Sequence, residues 1–125
     1  MNKLFVACKH CGNLAILAFD SGAPLVCCGE KMSEAVPNTV DASKEKHLPA
    51  VTREGNVIHV AVGAAPHPME EAHRITVVYL ETTRGGQRKW MPVGGEPKVS
   101  FAVIDVEPVA VYAHCNLHGL WKTTL

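Results

Sequence analysis

Apolar residues in this chain come in short runs with a period of two, and no segment repeats with a helical spacing. Alternation is clear at Val99, Phe101 and Val103, and again at Ile75, Val77 and Tyr79. Val109, Val111, Ala113 and Cys115 share one face in the same way. The pattern predicts strands near residues 50–53, 57–62, 74–82, 87–91, 99–104, 109–115 and 120–124. Turn formers punctuate them: Glu54-Gly55-Asn56, Arg84-Gly85-Gly86, Gly94-Gly95-Glu96-Pro97 and Glu107-Pro108. Short strands at regular intervals predict an antiparallel β-sandwich.

The N-terminal part is organised differently. Residues 4–7 lead into Cys8-Lys9-His10-Cys11-Gly12, residues 14–19 read as an apolar strand, and Asp20-Ser21-Gly22 as a turn. A last strand at Leu25-Val26 ends on Cys27-Cys28-Gly29. Residues 30–46 are polar and read as a linker broken by Pro37-Asn38. The expected division is a small domain over 1–36 and a sandwich over 37–125, all-β throughout.

Charge changes the picture only by exclusion. Twelve basic and twelve acidic side chains cancel, so no net field favours nucleic acid or a membrane surface. The longest apolar runs are strand-sized, and Met1-Asn2-Lys3-Leu4 opens no secretory signal. A cytoplasmic protein is expected. The five cysteines are the informative count: an odd number argues against a closed disulfide framework and for metal ligation.

Cys8 and Cys11 form a C-x2-C pair, and fifteen residues separate them from the adjacent pair Cys27-Cys28. Four thiolates on two turns predict a tetrahedral S4 site, for which iron and zinc are equal candidates. Adjacent cysteines reach one ion only by bending the tetrahedron. Gly12 and Gly29 follow the two pairs, where tight turns are needed and N–H groups can face sulfur. His10, between two ligands, reads as a solvated loop residue.

A second constellation lies further on. Cys115 and His118, in Cys115-Asn116-Leu117-His118-Gly119-Leu120-Trp121, fit a turn that aims two soft ligands at one spot. His47 precedes the first sandwich strand, and His67 and His73 flank the loop Pro66-His67-Pro68-Met69-Glu70-Glu71-Ala72-His73. Each histidine alone reads as an ordinary loop residue; together, at the strand ends of a sandwich, convergence is sterically reasonable. His59 and His114 are read as plain strand residues.

These motifs resemble the desulfoferrodoxin family, the two-iron class of superoxide reductases. The resemblance spans the whole chain and rests on Cys8-x-x-Cys11 with Cys27-Cys28, Glu45-Lys46-His47-x-Pro49, His67-Pro68-Met69-Glu70-Glu71-x-His73, and Cys115-Asn116-x-His118-Gly119-x-Trp121. It implies a desulforedoxin-like N-terminal domain holding a distorted FeS4 centre on Cys8, Cys11, Cys27 and Cys28. It implies a second iron in an immunoglobulin-like sandwich, with His47, His67, His73 and His118 in a square and Cys115 as axial ligand. The implied activity is reduction of superoxide to hydrogen peroxide without oxygen release, with electrons from rubredoxin or a similar donor, in a cytoplasmic homodimer. Lys46 would steer the anion and Glu45 would fill the vacant position in the resting oxidised state; without the resemblance Lys46 reads as a solvated linker lysine.

Neutral imidazoles around a ferrous ion leave its charge largely uncompensated, which suits an anionic substrate, and a trans thiolate pushes electron density toward the opposite position. Two rivals stand beside this reading. A rubredoxin-like electron carrier accounts for the four cysteines and leaves Cys115 and the four histidines without a task. A structural zinc protein accounts for tetrahedral ligation and not for five donors at one ion.

Overall fold

The computed structural model describes residues 3–125. The chain divides into two compact units, Met1–Val36 and Pro37–Leu125.

In the first unit β1 (Phe5–Ala7) pairs with β2 (Leu14–Ile16), and β3 (Val26–Cys27) with β4 (Glu30–Lys31). β5 (Ser33–Glu34) adds to the free edge of β1, giving the order β2-β1-β5. The apolar strand expected over 14–19 stops at Ile16, and Phe19 is 82% exposed. The stretch expected to be linker from residue 30 instead carries β4 and β5. Runs of two residues are too short for any periodicity to mark them. The apolar interior here is small: Phe5, Val6 and Cys8 are its buried members.

The second unit opens with a single helical turn, α1 (Lys44–His47), then β6 (Pro49–Glu54), β7 (Val57–Val62), β8 (Met69–Glu70), β9 (His73–Thr82), β10 (Gly85–Trp90), β11 (Lys98–Ala102), β12 (Pro108–Cys115) and β13 (Gly119–Thr124). No helix was expected, because four residues cannot display a helical period. Ser43 caps α1 by accepting from the Lys46 N–H, and Pro49 soon follows. Two antiparallel sheets form, β11-β7-β6 and β10-β9-β12-β13, with β8 paired to β9. One core joins them: Ile58, Val60 and Val62 of β7 and Phe101 of β11 meet Ile75, Val78 and Leu80 of β9 and Val111, Ala113 and Cys115 of β12. This is the all-β sandwich that alternation predicted.

A slip in register decides what reaches the site. Cys115 pairs with Ile75 while His114 pairs with Val77, so Thr76 is an extra residue on β9. The expected face Ile75–Val77–Tyr79 is therefore broken: the buried set is Ile75, Val78 and Leu80. Beyond the bulge, His73 falls in phase with Ile75, on the side that Cys115 also faces. A second bulge at Val109, between Pro108 and Ala110, leaves that residue half-buried and outside the core.

Candidate metal centres

The four N-terminal cysteines meet on two turns. The Cys8 and Cys11 loop closes with the Gly12 N–H donating to the Cys8 carbonyl at 2.9 Å, and Cys11 N–H points at Cys8 Sγ at 3.5 Å. The amide facing sulfur thus belongs to Cys11 and not, as expected, to Gly12. On the other side, Cys28-Gly29 is the two-residue loop of the β3–β4 hairpin, with φ of 54° and 74°. Two positive φ values make a type I′ turn, a place usually taken by Asn-Gly. That left-handed twist at Cys28 turns two adjacent side chains toward one point. The four sulfurs lie within 4.8 Å of one another. Cys11 to Cys27 is 3.6 Å and Cys27 to Cys28 is 4.0 Å. Thiolates bound at about 2.3 Å to a tetrahedral ion stand about 3.8 Å apart, so the donors fit.

Their electrostatics ask for a cation. N–H groups of Cys11 and His10 pull the Cys8 thiol down to about 6, while hydrogen bonding with the Cys11 and Cys8 sulfurs pushes Cys28 up to about 12. Four crowded sulfurs cannot all ionise without a positive charge among them. His10 lies on the rim, its Nε2 at 2.5 Å from Glu30 Oε2. All five cysteines are free thiols.

The second cluster is built from α1, the β7–β8 loop, the start of β9 and the β12–β13 turn. His47, His67, His73 and Cys115 present donor atoms within 4.8 Å of one another. His118 joins them, its Nδ1 at 3.1 Å from His47 Nε2 and 3.8 Å from Cys115 Sγ. The imidazoles form a ring. Centroids of successive rings are 4.7 Å (His47–His67), 4.8 Å (His67–His73), 5.1 Å (His73–His118) and 4.9 Å (His118–His47) apart, each pair close to edge-on. The diagonal His47–His73 is 6.5 Å. Four near-equal sides and a longer diagonal describe a square. Half that diagonal, less the ring's own radius, leaves roughly 2 Å to the centre, the length of a metal–imidazole bond.

Hydrogen bonds choose the nitrogen at two corners. His47 Nδ1 meets the Ser43 carbonyl at 2.6 Å and His67 Nδ1 the Pro68 carbonyl at 2.7 Å. A carbonyl accepts only, so each Nδ1 carries the proton and each Nε2 keeps its lone pair for the centre. At His118 it is Nδ1 that faces in. Among the described residues, His67 Nε2 and His73 Nε2 are buried with no hydrogen-bond partner. A buried polar atom without a partner costs about 1–3 kcal/mol, and a bound cation removes that cost. Burial pushes His67 down to about 4 and lowers His47, so both rings are neutral ligands at neutral pH. Cys115 is fully buried, and His73 and His118 are half-exposed. The sulfur is therefore more interior than the His73 and His118 corners. Glu45 and Lys46 are exposed on α1, directly before His47.

The remaining histidines stay apart: His59 Nδ1 lies 2.7 Å from Ser100 Oγ, and His114 Nδ1 lies 2.7 Å from Thr76 Oγ1. Several residues that shape the site receive no role from the sequence alone. Ser43 and Pro68 act through their carbonyls. Gly63 seats α1, since a Cβ there would collide with the backbone of Glu45 and Lys46. Trp121 stacks on His47 and donates its Nε1–H to the His118 carbonyl at 3.1 Å.

Residues 39–124 match the family model described as Desulfoferrodoxin. The chain belongs to the desulfoferrodoxin family. It is 40% identical over 116 residues to a desulfoferrodoxin homolog of Archaeoglobus fulgidus, covering 93% of this chain and 92% of that one. It is 40% identical over 116 residues to the desulfoferrodoxin of Syntrophotalea carbinolica, covering 93% and 91%. Among solved structures, the superoxide reductase from Treponema pallidum superposes with a TM-score of 0.79 at 37% identity, covering 95% of this chain and 98% of that one. The four-cysteine cluster and the four-histidine, one-cysteine cluster are consistent with the two iron centres of desulfoferrodoxin.

Proposed function

We propose that this chain is a superoxide reductase, converting superoxide to hydrogen peroxide by one electron and two protons and releasing no oxygen. The carrying observation is the square of four imidazoles with a buried thiol beside it, in which the Nε2 atoms of His67 and His73 are buried without a partner. His47, His67, His73, His118 and Cys115 would hold this iron. Iron bound there would supply the electron for the reduction of a small anion.

The protein's own groups do the rest. Cys115 is buried and His73 and His118 are partly exposed, so the anion enters past the exposed corners. Lys46, exposed one residue before a buried ligand, draws superoxide in. Glu45, on the same turn, would close the site in the resting oxidised state. Cys8, Cys11, Cys27 and Cys28 hold a second iron in the domain over residues 1–36, and the domain over 37–125 carries the reaction. A rubredoxin-like protein donates the electron, and the chain works as a homodimer in the cytoplasm. Five free thiols suit that reducing compartment. No helix among the described residues is long and apolar enough to cross a membrane.

Iron content with an optical spectrum tests the reading, followed by superoxide consumption with oxygen monitored. Two irons per chain and peroxide without oxygen are expected. Zinc and a colourless protein would return the structural reading, and one iron at the cysteines alone would return the electron carrier.

A further inference from the structure

Asn116 grips the backbone on both sides of His73. Its own N–H donates to the Arg74 carbonyl at 3.1 Å. Its Oδ1 accepts from the Arg74 N–H at 2.8 Å, and its Nδ2 donates to the Ala72 carbonyl at 3.0 Å. The β12–β9 ladder ends at Cys115 paired with Ile75. Asn116 therefore carries the ladder one step further, its side-chain amide standing where a peptide unit would continue the strand. The need for such a grip is local. His47 and His67 are held through their rings by the carbonyls of Ser43 and Pro68. Among the described residues no carbonyl holds the Nδ1 of His73, so its position depends on its main chain.

We propose that Asn116 is the positioning residue of the His73 corner, fixing through the backbone what a ring hydrogen bond fixes at His47 and His67. Because it directly follows Cys115, it also ties the spacing between the Cys115 sulfur and the His73 nitrogen to a single residue. The proposal rests on the reading of this cluster as a metal centre. Partners that orient a ligand from outside the coordination sphere are worth about 10–100-fold in metal affinity when removed.

The test uses the full-length, iron-loaded chain and a competing chelator. Loss of the histidine-bound iron is followed optically, with the absorption of the four-cysteine centre as reference within the same molecule. Asn116→Ala should speed that loss by about tenfold or more and move the sulfur-to-iron band, leaving the four-cysteine iron in place. Asn116→Asp keeps the acceptor for Arg74 and loses the donor to Ala72, so its rate should fall between. Val111→Ala, a core change four residues before Cys115 in the same strand, should leave the band unmoved and the rate near that of the parent. Iron loss from Asn116→Ala at the parent rate with an unmoved band overturns the proposal, as does Val111→Ala reproducing the effect. If Asn116→Ala does not fold, the aspartate variant decides alone, and a parent-like rate and band overturn it. A parent chain that takes up no iron at the histidines removes the site reading itself, visible before any variant is made.

Discussion

The indole of Trp121 lies flat on the imidazole of His47, with ring centroids 4.8 Å apart and planes 25° from parallel. The same indole donates to the His118 carbonyl, so one buried side chain braces two ligands that stand 71 residues apart in sequence. Trp121→Ala should cost about 3–5 kcal/mol by emptying a core position and should lower iron retention at the histidine site. Trp121→Phe keeps an aromatic face and loses the N–H, so about 1 kcal/mol is expected. Urea titration with iron analysis separates the two; equal losses for both variants would contradict the bracing role.

Lys46 tests steering. Lys46→Ala should slow the bimolecular reaction with superoxide several-fold and flatten its dependence on ionic strength, because a single exposed charge acts over about 8–10 Å before salt screens it. Pulse radiolysis reads both quantities, and unchanged kinetics would rule the role out.

Glu45 tests the resting state. Glu45→Ala should leave superoxide reduction nearly intact while shifting the optical spectrum of the oxidised protein. A spectrum identical to the parent's would remove the carboxylate from the resting site.

Cys11 tests the first unit. Cys11→Ser should abolish the visible absorption of the four-cysteine centre, since one of four sulfurs is lost. Turnover with a rubredoxin-like donor then decides the centre's part: survival means that relay through it is not required, and loss with intact superoxide chemistry at the histidine site means that it is.

Tyr112 gives a pH prediction away from both clusters. Burial first, and then its hydrogen bond to Glu81 Oε1 at 3.0 Å, raise the phenol above its usual range. A folded value above the unfolded one, about 10, means that the phenol's contribution is fully present below that pH and lost as pH rises past it. Tyr112→Phe should therefore be less stable than the parent by about 1–3 kcal/mol at neutral pH, with the gap closing above about pH 10. Urea midpoints at pH 7 and in the alkaline range measure it; a constant gap would show that the phenol titrates no differently when folded.

Much of the architecture is legible along the chain because it is written in local spacing. Period two marks seven strands, and β7 runs over Val57–Val62, as the alternation predicts. The donor types are legible as well: thiols in pairs beside glycines, and imidazoles next to prolines and turns, are visible one motif at a time. The single turn of α1 and the two-residue strands β4, β5 and β8 escape, since a period needs more residues than they contain.

What spacing could not supply depends on partners distant in sequence. The Thr76 bulge shifts the phase of β9 and puts Val78 and Leu80 inside where Val77 and Tyr79 were expected, and it exists only because β9 pairs with β12. Which nitrogen of His47 or His67 turns inward is set by a carbonyl that accepts from the other one. The chain's order of residues determined strands, turns and donor chemistry, each a property of a few neighbours. Only the folded molecule decided the square of rings, the side on which Cys115 lies, and the bracing by Trp121, because those are distances between segments that meet only after the sheets have packed.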